Sequence, residues 1–101
     1  MAISKINQIP PERLKRIMDI MKSVANPLRF RIICLLCDRP YKVGEMAELL
    51  NERQAAVSQH LAPLRMLELV AVDRTGGTAT YSLKEPLLRS LVNCFESHFL
   101  A

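Results

Sequence analysis

The sequence has no tryptophan, three glycines and 5% aromatic residues, so its 50% hydrophobic content is mainly aliphatic. No uninterrupted apolar run approaches the roughly 20 residues that a membrane-crossing helix needs, which argues against a membrane partner. The opening "MAISKINQIPPERLK" lacks the apolar core of a secretion signal. Three cysteines are an odd number, which argues against a closed disulfide framework. Together these absences predict a reduced, soluble, cytoplasmic protein. There is no internal repeat, low-complexity tract or glycine-rich phosphate loop. The two histidines, His60 and His98, have no nucleophile, base and orienter around them in the pattern an enzyme would need.

What is present is one domain's worth of chain, 101 residues with a formal net charge of +4. A basic balance favours an acidic partner such as nucleic acid. A domain this small also gains from burying surface against a partner. Residues 1–10 read as a flexible N-terminal arm closed by Pro10-Pro11, and residues 11–101 as a single domain.

From Glu12 the pattern is helical, with Leu14, Ile17, Met18, Met21 and Val24 on one stripe. Asn26-Pro27 is a start signal, Asn as N-cap and Pro at the first helical position. The helix it opens, about Leu28 to Cys37, is apolar nearly all round, as buried central helices are. Val43, Met46, Ala47 and Leu50 mark a short third helix, and Asn51-Glu52 a tight turn. A fourth helix spans about Arg53 to Leu67. Two β-rich runs then flank Gly76-Gly77, which supplies positive φ for a hairpin turn. A last helix, about Pro86 to Leu100, carries Leu87, Leu88, Leu91, Val92, Phe95 and Phe99. The expected fold is mainly α with a β-hairpin wing, a winged helix-turn-helix in the order α-α-α-α-β-β-α.

With Val57, Leu61 and Leu64 as the buried stripe of the fourth helix, Gln54, Ala55, Ser58, Gln59 and Ala62 point away from the core. That face is polar, uncharged and small. Gln can read a base edge through two hydrogen bonds, Ser can reach a base or phosphate, and Ala can approach a thymine methyl. A merely solvated face would more often carry Lys and Glu. His60 falls on the inward side, where an orienting or packing role competes with DNA contact.

The stretches "NPLRFRIICLL", "VSQHLAPLRMLELV" and "TATYSLKEPLLRSLV" resemble the ArsR/SmtB family of bacterial repressors, arsenical- and metal-responsive winged-helix regulators. The resemblance runs from about Leu14 to Phe99. It implies a homodimer joined through the first and last helices, binding a palindromic double-stranded operator with each recognition helix in a major groove, and released by an inducer. On that pattern Arg53, Gln54, Ser58, Gln59, His60, Arg65 and Arg74 are the DNA-binding candidates. Two positions depart from it. Arg53 stands where the family commonly has a Ser or Thr cap, which leaves Asn51 as an alternative cap. Pro63 lies inside the recognition helix, where it removes a backbone donor and is expected to kink the segment.

One metal site of the family uses a cysteine pair at the start of the third helix; Lys42 and Gly44 occupy those places. Another lies on the last helix. Glu85 and His98 match two of its four ligands, but Leu87 and Ala101 stand at the others, which is no zinc site. Cys34 matches the reactive cysteine of the family's thiol-sensing, biofilm- and haemolysin-regulator types. Their second cysteine corresponds to Leu100. Cys94 lies six residues earlier, roughly 9 Å along a helix axis, whereas bridged Cα atoms must lie within about 7 Å. Cys37 could meet Cys94 if the two helices run antiparallel. Three readings of Cys34, Cys37 and Cys94 stay open: thiol or persulfide sensing, a trithiolate site for a soft ion such as arsenite, and core filler. The alternatives to an inducible repressor are a constitutive DNA-binding regulator and a winged-helix protein-interaction module.

Overall fold

A computed structural model describes residues 3–100. The elements are α1 (Ile3–Ile6), α2 (Pro11–Val24), α3 (Pro27–Asp38), β1 (Tyr41–Lys42), α4 (Val43–Leu50), α5 (Gln54–Met66), β2 (Val70–Asp73), β3 (Thr80–Leu83) and α6 (Pro86–Phe99). The expected helix-turn-helix and wing are present. Two elements were not anticipated. Ile3–Ile6, within the expected arm, forms one helical turn. Tyr41–Lys42 adds an edge strand, so the wing is a three-stranded antiparallel sheet in the order β1-β3-β2. That strand is only two residues long and exists because Tyr41 pairs with Tyr81, some forty positions downstream.

Local chemistry explains most boundaries. The Asn26 side chain accepts from the Arg29 amide at 3.1 Å, and Pro27 opens α3. Asn51 is not a cap for α5. It adopts φ 54° and closes α4, with its amide on the Glu48 carbonyl and the Glu52 amide on the Ala47 carbonyl, the paired bonds of a left-handed helix terminus. Glu68, at φ 58°, ends α5 the same way, with Leu69 donating to Leu64 and Glu68 to Arg65. Gly76 and Gly77 both take positive φ, in a loop longer than a two-residue turn, because the ladder closes at Asp73–Thr80.

Four arginines close helix C-termini, where carbonyls lack intrahelical partners. Arg16 donates to Leu67 O beyond α5, Arg29 to Ser23 O in the last turn of α2, Arg31 to Leu50 O of α4 and Arg89 to Cys37 O of α3. Part of the basic balance is therefore structural.

The core joins Ile32, Ile33 and Leu36 of α3 to Met46 and Leu50 of α4, Val57, Leu61 and Leu64 of α5, and Val70 and Tyr81 of the sheet. From α2 the core takes Ile20, and of the expected stripe only Val24 packs against it. Leu14, Ile17, Met18 and Met21 are exposed. The helix has two apolar edges, and periodicity alone does not say which one a single chain covers.

Candidate nucleic-acid interface

α4 and α5 meet at Asn51–Arg53 as a helix-turn-helix. Val57, Leu61 and Leu64 are at most 1% exposed, which fixes the opposite face outward. Gln54, Ala55, Ser58, Gln59 and Ala62 are all exposed, as the wheel predicted. Among the described residues, no side-chain hydrogen bond or ion pair engages Gln54, Ser58, Gln59, Arg53, Arg65 or Arg74. Their donors and acceptors are open to an outside partner. Arg53 occupies the N-cap position of α5 without a side-chain cap bond. The helix continues through Pro63 to Met66, so the proline does not end it. Only the Gln59 carbonyl loses its usual helical donor.

One feature at this site was not legible in advance. A Cβ added to Gly44 would stand 3.2 Å from the Gln54 amide nitrogen. The bare glycine in the first turn of α4 makes room for the first polar side chain of α5. His60 is half-buried, and its Nδ1 accepts from Arg29 Nε at 3.2 Å. The bond joins the middle of α5 to the first turn of α3.

Arg74 is exposed at the base of the wing loop. Beside it, the Asp73 carboxylate accepts from the Thr75 amide at 2.8 Å. The Thr75 hydroxyl and amide hold the Asp73 carboxyl below its usual range, so it stays charged at neutral pH.

The family model described as "Bacterial regulatory protein, arsR family" matches residues 26–72, from the α3 cap into β2. The chain is 34% identical over 84 residues to the HTH-type transcriptional regulator KmtR of Mycobacterium tuberculosis, covering 83% of this chain and 65% of that protein. It is 36% identical over 73 residues to the transcriptional activator HlyU of Vibrio cholerae, covering 72% of this chain and 68% of that one. The matched stretch thus spans about two thirds of each relative's length. The crystal structure of the transcriptional repressor BigR from Xylella fastidiosa matches with a TM-score of 0.86 at 26% identity, over 100% of this chain and 99% of that chain. The chain belongs to the ArsR family of bacterial regulatory proteins. ArsR-family chains are DNA-binding transcriptional regulators, not enzymes.

The positions matching the ArsR family's metal ligands have other work here. Glu85 caps α6 by accepting from the Leu87 amide at 3.4 Å and pairs with Arg16 at 3.3 Å. His98 Nδ1 lies 3.1 Å from the Cys94 carbonyl. Leu87 is exposed at the start of α6, and Ala101 lies outside the described residues. Among the described residues, no three His, Cys, Asp or Glu side chains are grouped to hold a metal ion. Cys34, Cys37 and Cys94 therefore do not form a trithiolate site within one chain, and all are free thiols.

Helix register gives the reason. α3 and α6 run antiparallel, with Arg89 on the Cys37 carbonyl and the Phe30 and Phe95 rings 5.8 Å apart. Cys94 is five residues beyond Arg89, roughly 7.5 Å further along the axis, and turned about 125° from the Leu88–Val92–Phe95 stripe. Cys34 lines an apolar cavity of about 390 Å³ between α3 and α6, with Phe30, Phe95, Phe99 and Glu96. Burial raises the Cys34 thiol pKa, and Cys37 and Glu96 raise it further. Burial also raises that of Cys37, against the pull of Arg89.

Proposed function

We propose that the chain is a homodimeric repressor that binds a palindromic operator, with α5 of each protomer in a major groove. The observation that carries this reading is the open face of α5. Gln54, Ser58 and Gln59 are exposed and without intramolecular partners, on a helix whose opposite side is fully buried. Gln54 and Gln59 read base edges, Ser58 reaches a base or phosphate, and Arg53, Arg65 and Arg74 hold phosphates. The exposed apolar residues of α2 and α6 support dimerisation, because single soluble chains rarely expose large contiguous apolar patches. The match to the repressor BigR over the whole chain supports repression. A protein-interaction module would want several large apolar residues along α5; Met66, about two turns beyond Gln59, is the one exposed there.

The test is operator selection from a randomised duplex pool, followed by affinity measurements. Gln54→Ala or Ser58→Ala should weaken the selected sequence and leave random duplex unaffected. A bidentate base contact is worth about 1–3 kcal/mol. Unchanged specificity in a Gln54→Ala/Gln59→Ala double variant would overturn the base-reading assignment.

Release by an inducer acting on thiols is favoured by one observation, the Cys34 thiol at the wall of the α3–α6 cavity. A group added to the Cys34 sulfur would project into this cavity, against Phe95 and Phe99 of α6. Thiols are counted by mass spectrometry with and without persulfide, peroxide or arsenite, and DNA binding is measured on each sample. Three unreactive cysteines and unaltered affinity would leave the constitutive regulator.

A further inference from the structure

We infer that Arg29, far from the DNA-facing surface in sequence, is a positioning residue that sets the rotation of the recognition helix through His60. The inference rests on α5 being the recognition helix.

The apolar stripe of α5 sets which face is buried, but, being non-directional, apolar burial does not by itself set the fine rotation about the axis. A directional bond from another element does that. Among the described residues, His60 is the one α5 side chain with a hydrogen-bond partner, and that partner is Arg29 on α3. His60 sits beside the buried stripe and immediately follows Ser58 and Gln59, so a small rotation at His60 moves the reading face directly.

Arg29 is itself fixed at three points. Its amide donates to the Asn26 cap at 3.1 Å, its Nη1 to the Ser23 carbonyl at 3.3 Å and its Nε to His60 Nδ1 at 3.2 Å. The guanidinium is a rigid planar fork, so anchoring one arm aims the other. The bond also sets the imidazole tautomer. A guanidinium only donates, so Nδ1 accepts and the ring proton of neutral His60 is on Nε2. Arg29 thus ties the end of α2, the start of α3 and the middle of α5 into one unit. α2 bears part of the exposed apolar face assigned to the dimer, so the tie also links that face to the DNA-reading helix.

The test uses the full chain and the duplex selected by the wild-type protein. Arg29→Ala and His60→Ala should each weaken binding to the selected sequence about tenfold, a typical coupling for hydrogen-bonded neighbours. Binding to random duplex and the oligomeric state should not change. The double variant should be no weaker than either single one. His60→Asn places an amide oxygen near the Nδ1 position and should restore affinity to within about twofold, which a purely steric packing role would not predict. If Arg29→Ala fails to fold, the comparison of His60→Ala with His60→Asn decides alone. Unchanged affinity in the folded single variants, losses that multiply in the double variant, an equal loss on random duplex, or no rescue by Asn would each overturn the inference. A pool that yields no consensus sequence would sink the recognition-helix reading and this inference with it. A clear consensus with unaffected variants would sink the inference alone.

Discussion

α5 and α6 are of nearly equal length, 13 and 14 residues, and are finished to different degrees. α5 places Val57, Leu61 and Leu64 wholly in the core of its own chain and turns a polar face with Gln54, Ser58, Gln59 and Arg65 outward. α6 buries only Leu88 fully and leaves Phe95 42% and Phe99 78% exposed, with Leu100 just beyond it 82% exposed. One helix is complete as packing and open in hydrogen bonding. The other is incomplete as packing. The contrast predicts two kinds of partner: a polar, charged lattice such as DNA for α5, and a second apolar surface for α6 together with α2.

The comparison breaks most readily at its buried side. Leu61→Ala removes a fully buried side chain between α5 and the rest of the core and should cost about 3 kcal/mol. Thermal or denaturant unfolding would measure it, and a loss below about 1 kcal/mol would mean that α5 is not seated as described. Next is the open apolar side. Met21→Lys with Phe99→Lys changes residues already exposed in one chain, so the fold should survive while self-association weakens by about 2 kcal/mol or more. Sedimentation across a concentration series would show it, and an unchanged dimer would move the interface elsewhere.

Smaller is the wing. Arg74→Ala should weaken all duplexes alike and lower the slope of log affinity against log salt by about 1. A change in sequence preference would instead make Arg74 a base reader. The mildest test concerns the thiols. The raised pKa of Cys34 leaves less thiolate at any given pH, so its alkylation rate should still be rising past its ordinary value of 9.0. Exposed Cys94 should react first at neutral pH. Equal labelling of Cys34 and Cys94 at pH 7 would contradict the burial of Cys34.

Much of the site was legible in the sequence because it follows local rules. The Asn26-Pro27 start of α3, the positive φ of Gly76 and Gly77, and the two faces of α5 depend on neighbours a few positions away. The arginines were not legible in this way. Arg16, Arg29, Arg31 and Arg89 look like the same basic surface as Arg53, Arg65 and Arg74, yet each of the four bonds a helix-end carbonyl. The carbonyl bonded by Arg16 lies 51 residues away and that bonded by Arg89 lies 52 away, so no window of sequence contains both donor and acceptor. The double-edged pattern of α2 was ambiguous for a related reason. Ile20 and the Leu14–Met18–Met21 edge are both apolar, and the other elements decide which one is covered.

The sequence by itself determined the helix-turn-helix, the hairpin of the wing and the outward polar face of α5, because periodicity, capping and turn chemistry act over a few residues. The tertiary structure alone decided that His60 is held by Arg29, that Cys34, Cys37 and Cys94 do not meet, and that α2 and α6 keep an apolar face uncovered. Those outcomes depend on the register and direction in which distant helices pack, and local periodicity places no constraint on either.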